Sequence, residues 1–362
     1  MSQPKKILVA PLGWGLGHAT RCIPIVRELQ SQGATVVLAS DGRALALLRQ
    51  EFPQLESFEL PGYNVEYRNN QMSWNMAWQL PKILRAIWRE HQAVRQLSIR
   101  HGIDGIISDS RFGCFFSIKH CVFLTHQVNI QAPFLLVKNV VNFFNRLIIN
   151  QFDECWIPDV PTTPNLSGGL SHPIKPSLKK KAKYIGALSR MVTGEMKAER
   201  YDAIVVLSGP EPQRTKLEKN LIEQAGSLSA RFLIVQGRPE HLGDTPIFTP
   251  QKNIEIVPSM TAEILNQAIL ESGVFIGRSG YSTVMDLARL GKPALLIPTP
   301  GQTEQECLAA KFLKENIFYC QEQSELHLER GIIEAKKRSG LRGDFFDEKA
   351  LSSAIALFLE AC

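Results

Sequence analysis

Short apolar runs recur along the whole chain, each followed by a stretch with helical spacing. This alternation restricts the fold more than any other feature. Residues 7–10, 35–39, 105–108 and 121–125 read as buried strands set between helices, and 203–207, 232–236, 254–257, 274–277 and 294–297 repeat the pattern. Strands that alternate with helices pair in parallel, with the crossover helices covering both faces of a sheet. Between Pro158 and Lys183 the rhythm breaks into five prolines, the pair Gly168-Gly169 and a lysine cluster, which reads as a connector. The expected fold class is therefore α/β, with two Rossmann-like domains facing each other across a ligand cleft. The expected boundaries are 1–160 for the first domain, 161–183 for the connector, 184–345 for the second domain and 346–362 for a terminal helix. A chain of 362 residues suits two domains of about 150–190 residues each.

Composition excludes several classes. No run approaches the ~20 apolar residues that cross a bilayer. Lys5 and Lys6 lead straight into the first strand without an apolar signal core, so a cytoplasmic protein is expected. Seven cysteines, an odd number, form no CxxC pair and no zinc spacing, and read as reduced thiols. The net charge of +6 gathers at Lys179–Lys183, at Lys336–Arg338 and near Arg85. No aromatic–basic interleaving accompanies it, which argues against nucleic acid and leaves an anionic membrane surface or solvated faces. Nothing in the sequence indicates an oligomeric state.

Two strand ends carry the chemistry. The run Ile276-Gly-Arg-Ser-Gly-Tyr-Ser-Thr-Val-Met-Asp286 stops a strand, turns through small residues and opens a helix that closes at Gly291 and Pro293. Free N–H groups and the positive end of the helix dipole make such a turn an anion site, and Arg278 adds a fixed charge. Asp286, one to two turns in, is placed to accept hydrogen bonds from a hydroxylated group beside that anion. Anion plus sugar suggests a nucleotide; a plain strand–turn–helix with a Ser/Thr cap is the alternative. At the other strand end, Pro11-Leu-Gly-Trp-Gly-Leu-Gly-His-Ala-Thr-Arg21 puts Gly13, Gly15 and Gly17 between a strand and a helix, with His18 next. This is not the Gly-x-Gly-x-x-Gly of dinucleotide enzymes.

Both segments resemble the signature loops of GT-B glycosyltransferases of family 28, which include the bacterial peptidoglycan UDP-GlcNAc transferases. The resemblance spans nearly the whole chain, is specific in these two loops and is diffuse over 60–100 and 130–180. It implies a UDP-sugar donor, an inverting transfer and no cofactor. It places Gly15 and Gly17 under the donor sugar and His18 near the reacting hydroxyl, as the general base. Arg278, Ser279, Gly280 and the amides of Ser282 and Thr283 would hold the diphosphate, and Asp286 the ribose. By the same resemblance Ser208 and Gly209 form a second phosphate loop and Arg190 reaches the nucleotide. The backbone of Val257 reads the base edge and Met260 packs on its face. Each of these can equally serve core or turn. Gln305 falls on a position that contacts the donor sugar. Glu306 stands where GlcNAc users often carry Gln, which leaves the sugar open. The sequence holds no Asp-x-Asp triplet, so a metal-independent reaction is expected.

The acceptor side is less legible. Ser108-Asp-Ser-Arg111 and His126-Gln-Val-Asn129 are expected to end two strands at the cleft edge, where an acceptor could bind, and His126, Gln127 and Asn129 resemble an acceptor segment. Trp74, Trp78 and Trp88 among Lys82, Arg85 and Arg89 suit either a membrane interface, for a lipid-linked acceptor, or a core helix with a basic edge. Gly17-His-Ala-Thr-Arg-Cys22 also resembles a run in a UDP-sugar hydrolase, so hydrolysis, 2-epimerisation or a non-catalytic nucleotide-sugar-binding subunit remain alternatives.

Overall fold

A computed structural model describes residues 3–63, 79–132, 134–194, 199–241 and 251–362. They form two compact units: Met1–Trp14, His18–Leu188 and Asp344–Cys362 make the first, and Gly15–Gly17 with Ser189–Gly343 the second.

The first unit is built on seven parallel strands: β1 (Lys6–Pro11), β2 (Thr35–Ser40), β3 (Ser57–Glu59), β4 (Gly105–Asp109), β5 (His120–Leu124), β6 (Glu154–Ile157) and β7 (Ala182–Tyr184). Their order is β3-β2-β1-β4-β5-β6-β7. Ile7, Leu8, Val9 and Ala10 are fully buried, as a central strand covered on both faces requires. The chain moves outward from β1 to β3 through α1 (Leu16–Ser31) and α2 (Gly42–Glu51), then returns to β4 on the other side of β1. That reversal makes the C-terminal ends of β1 and β4 a topological switch point, where α/β sheets bind ligands. The register sets Pro11 opposite Asp109, and Leu12 N–H donates to the Asp109 carbonyl at 2.9 Å. The glycine loop thus begins beside Asp109.

Helices α3 (Leu80–His101) and α4 (Leu135–Ile149) connect β3 to β4 and β5 to β6. Residues 161–183, expected as a connector, lie within the first unit. There β7 adds an edge strand, with Cys155 opposite Ala182. Helix α10 (Glu348–Ala361) also belongs to this unit, its buried Phe358 lying 5.9 Å from Trp156 between ring centres.

The second unit has six parallel strands: β8 (Tyr201–Val206), β9 (Phe232–Val235), β10 (Ile254–Val257), β11 (Ser272–Gly277), β12 (Ala294–Leu296) and β13 (Tyr319–Cys320). The order β10-β9-β8-β11-β12-β13 repeats the reversal, here between β8 and β11. Val206 pairs with Gly277, so the loops 207–209 and 278–280 leave the sheet side by side. Helices α5 (Gln213–Gly226), α6 (Ala262–Leu270), α7 (Tyr281–Leu290), α8 (Thr303–Lys314) and α9 (Leu328–Lys336) complete it. Helix α7 ends at Gly291, whose φ of +63° makes the left-handed cap expected there. The α/β, Rossmann-like architecture expected from the alternation is the one observed. Strands β3, β6, β7 and β13 escape sequence reading because they are two to four residues long and mix polar with apolar residues. No described helix is long and apolar enough to cross a membrane.

Candidate active site

At the first switch point, His18 and Arg21 sit three residues apart on α1 and therefore share a face. Both turn to the end of β4. His18 Nδ1 lies 3.0 Å from Asp109 Oδ1, and Arg21 Nε donates to Asp109 Oδ2 at 2.6 Å, with Arg21 Nη2 also on Oδ1. Asp109 and Arg21 are both buried. Burial alone would push the Asp109 carboxyl up. The Arg21 guanidinium and then His18 more than reverse this and hold it well below the usual carboxylate range. His18 Nδ1 also lies 2.9 Å from Arg21 Nη2, so Asp109 and Arg21 both address this one ring nitrogen and anchor the imidazole through it. The next residue, Ser110, has φ +58°, so the chain turns in the left-handed region directly after Asp109.

His126 joins the same cluster from the end of β5, its Nδ1 2.8 Å from Arg21 Nη1. A guanidinium only donates, so His126 Nδ1 accepts and a neutral ring holds its proton on Nε2. Arg21 thus reaches Nδ1 of both histidines, and only His18 also touches Asp109 through that nitrogen. Cys22 packs its buried thiol 3.7 Å from Asp109 Oδ2, and burial, then Asp109, pushes that thiol well up.

The second switch point has another electrostatic character. Arg278 is buried, and among the described residues its hydrogen-bond partners are four neutral oxygens: the carbonyls of Ile297, Pro298 and Gln213, and Gln323 Oε1 at 2.8 Å. Burial lowers its pKa to about 10. Its Nε and the nearby Thr299 Oγ1 are buried without a hydrogen-bond partner. Gly209, at φ +101°, stands against both: a Cβ there would lie 3.5 Å from Thr299 Oγ1 and 3.7 Å from Arg278 Nε. Gly280 is the N-cap of α7 and no side chain caps the helix, so the Ser/Thr cap of the alternative reading is not present. The N–H groups of Ser282 and Thr283, in its first turn, have no intrahelical acceptor. Asp286 accepts from Ser189 Oγ at 2.5 Å. Desolvation pushes its carboxyl up to about 6 against the opposing pull of Arg190.

Residues 204–342 match the glycosyltransferase family 28 C-terminal domain. An uncharacterized glycosyltransferase of Methanosarcina acetivorans is 24% identical over 84% of this chain and 82% of its own length. The UDP-N-acetylglucosamine–N-acetylmuramyl-(pentapeptide) pyrophosphoryl-undecaprenol N-acetylglucosamine transferase of Granulibacter bethesdensis is 23% identical over 82% and 75%. Among solved structures, the glycosyltransferase SnogD from Streptomyces nogalater shares the fold with a TM-score of 0.62 at 14% identity, covering 98% of this chain and all of that one. The chain is a glycosyltransferase with the GT-B fold, and its residues 204–342 form a family 28 C-terminal domain.

In this glycosyltransferase the remaining expected residues take varied places. Gln305 Oε1 accepts from Thr299 N–H at 2.8 Å, and its carbonyl accepts from Ser279 Oγ at 2.9 Å, so it braces the anion turn. Glu306 accepts from Gly301 N–H at 2.9 Å. Ser208 is half-buried beside Gly209 in the loop after β8. Val257 ends β10, its carbonyl accepting Gln236 N–H at 2.9 Å, and Met260 is half-buried just before α6. Gly15 and Gly17 group with the second unit. In the segment expected to meet the acceptor, Asn129 donates to the Pro173 carbonyl at 3.1 Å and the Gln127 carbonyl accepts from Asn145. Trp74 and Trp78 lie outside the described residues. Trp88, Lys82, Arg85 and Arg89 are exposed on α3. Asp109 and Arg21 lie in the runs Ser108–Arg111 and Gly17–Cys22 singled out from sequence, but the sequence gives neither of them a role of its own. Their signal was present: an acid ending a buried strand in Ser108-Asp-Ser-Arg111, and an arginine three residues after the histidine.

Proposed function

We propose that the enzyme transfers a GlcNAc-like or other hexose from a UDP-sugar to a hydroxyl of a lipid-linked or membrane-associated acceptor, with inversion and without a metal. The observation that carries this reading is Arg278, a buried cation with only neutral partners beside an uncapped helix N-terminus. A diphosphate supplies the counter-charge that this turn lacks. In the proposed step the acceptor hydroxyl gives its proton to His18 Nε2 and its oxygen attacks the anomeric carbon. The bond to the diphosphate breaks, and UDP leaves with the electron pair, its charge met by Arg278, the Ser282 and Thr283 amides and the helix dipole. Asp109 anchors His18 through Nδ1 and stabilises the imidazolium that forms. Asp286 is placed to accept from the ribose hydroxyls. The Granulibacter relative, named for a UDP-GlcNAc donor and an undecaprenol-linked acceptor, supports the donor and acceptor classes.

The Gly-His-x-x-Arg-Cys run does not favour hydrolysis, because Arg21 and Cys22 both address Asp109 and would serve a histidine base with either acceptor. The test is incubation with labelled UDP-sugars, with and without lipid extract. Lipid-dependent UDP release, unchanged by EDTA, is expected. Equal release without lipid would replace transfer by hydrolysis, and turnover with TDP-sugars alone would move the donor.

A further inference from the structure

A guanidinium carries five N–H groups, and four of those on Arg278 are engaged. Nη1 donates to the Ile297 and Pro298 carbonyls at 3.3 and 3.2 Å, and Nη2 to the Gln213 carbonyl at 3.1 Å and to Gln323 Oε1 at 2.8 Å. The fifth, on Nε, is buried without a partner among the described residues, and so is the hydroxyl of Thr299. Both border the space that a side chain at position 209 would fill, because a Cβ on Gly209 would stand 3.5 Å from Thr299 Oγ1 and 3.7 Å from Nε. An N–H and a hydroxyl buried beside one gap cost free energy until an acceptor enters it.

Gln323 governs how this guanidinium faces. It lies in the 3-10 turn Gln323–Glu325 that follows β13, and it makes the shortest of the four bonds. Its amide has one workable orientation: Nε2 donates to Gln213 Oε1 at 3.2 Å, which leaves Oε1 to accept from Arg278. Gln213 opens α5, so the two amides join the start of that helix, the turn after β13 and the cation in one network. Charge is the second point. Gln323 sits between the exposed acids Glu322 and Glu325, yet the side chain that reaches Arg278 is the neutral one. A glutamate there would have the same length and would neutralise Arg278 from within the protein. Burial moves the Arg278 pKa down, and no carboxylate of the described residues opposes it.

We infer that Gln323 is a positioning residue of the donor site. It fixes Arg278 so that Nε–H, together with the Thr299 hydroxyl, meets a phosphate oxygen over Gly209, and its neutrality reserves the charge of Arg278 for that anion. The inference rests on the diphosphate site proposed above and adds Gln323 and Thr299 to it. The experiment titrates UDP, with uridine as the uncharged control, into the full chain as wild type, Gln323→Glu and Thr299→Val, alongside melting curves. Gln323→Glu should weaken UDP binding about tenfold or more and leave uridine binding unchanged, while the melting temperature holds or rises, because the new carboxylate pairs with Arg278 in place of the diphosphate. Thr299→Val should weaken UDP binding about fivefold to tenfold without loss of stability, since the hydroxyl removed has no partner in the free protein. A residue that only packs would instead lose stability in Gln323→Glu and shift UDP and uridine alike, which would overturn the inference. Wild-type UDP affinity in Gln323→Glu would overturn it too, and, should that variant fail to fold, the same result in Thr299→Val would do so. In either case, loss of UDP affinity in Arg278→Ala would leave the diphosphate site standing, whereas wild-type affinity there would remove that site as well.

Discussion

At the switch point of the first unit, charge meets charge: Asp109 is ringed by Arg21 and His18, and Arg21 reaches on to His126. At the switch point of the second unit, Arg278 meets only carbonyl and amide oxygens among the described residues, and the helix beside it begins uncapped. The same topological position thus carries two electrostatic designs. A closed ion network holds one imidazole in place, which is what a positioned proton acceptor needs. A cation left without a counter-ion is costly until an anion arrives, which is what a donor site needs. One centre has its charges paired in the free protein; the other would be completed by the diphosphate proposed above.

The largest effect expected is at Asp109. Asp109→Asn leaves Arg21 buried without its counter-charge, so unfolding free energy should fall by about 3–5 kcal/mol. Turnover should fall about a hundredfold or more, as in His18→Ala, while both variants retain UDP affinity. The pH dependence has a definite sign. The Asp109 carboxyl is held below its unfolded value, so its stabilisation is present above about pH 4 and is lost as pH falls further. The Asn variant should lack that acid-side loss. A variant that melts and turns over like the wild type would show that the network is only packing.

Arg278→Ala tests the open centre. UDP affinity by calorimetry should weaken by about 1.5–3 kcal/mol, with far less loss of stability than Asp109→Asn. Unchanged affinity in a folded variant would end the contrast, since Arg278 would then be a structural cation.

The smallest effect belongs to Asp286. Its folded carboxyl, pushed up to about 6, holds its proton longer than the unfolded one, so ionisation destabilises progressively from about pH 4 to 6. Asp286→Asn should therefore gain about 1–2 kcal/mol over the wild type between those limits, a value discounted for the residue's partial exposure. Its UDP affinity should fall at the same time. Denaturation curves showing no such pH-dependent gain would remove the desolvated carboxyl from the donor site.

Much of this was legible in the sequence because it is local. The long central strands are continuous apolar runs, the two signature turns declare themselves by glycines and small residues, and Arg278, Asp286 and His18 lie inside those turns. What pairs across sequence distance was not legible. Asp109 stands 91 residues from His18, and only the order of β1 beside β4 brings them within 3.0 Å. The short edge strands had no pattern of their own, because pairing with a neighbour, rather than propensity, holds them. Which face of α4 turns inward was not legible either. That was decided by Asn142 and Asn145 finding backbone partners near residues 127–130. The sequence by itself thus determined the α/β rhythm and the two ligand-facing turns, since periodicity and glycine placement act over a few residues. Tertiary structure alone decided which centre is charge-closed and which is left open, because that depends on which side chains the sheet order places within hydrogen-bond reach.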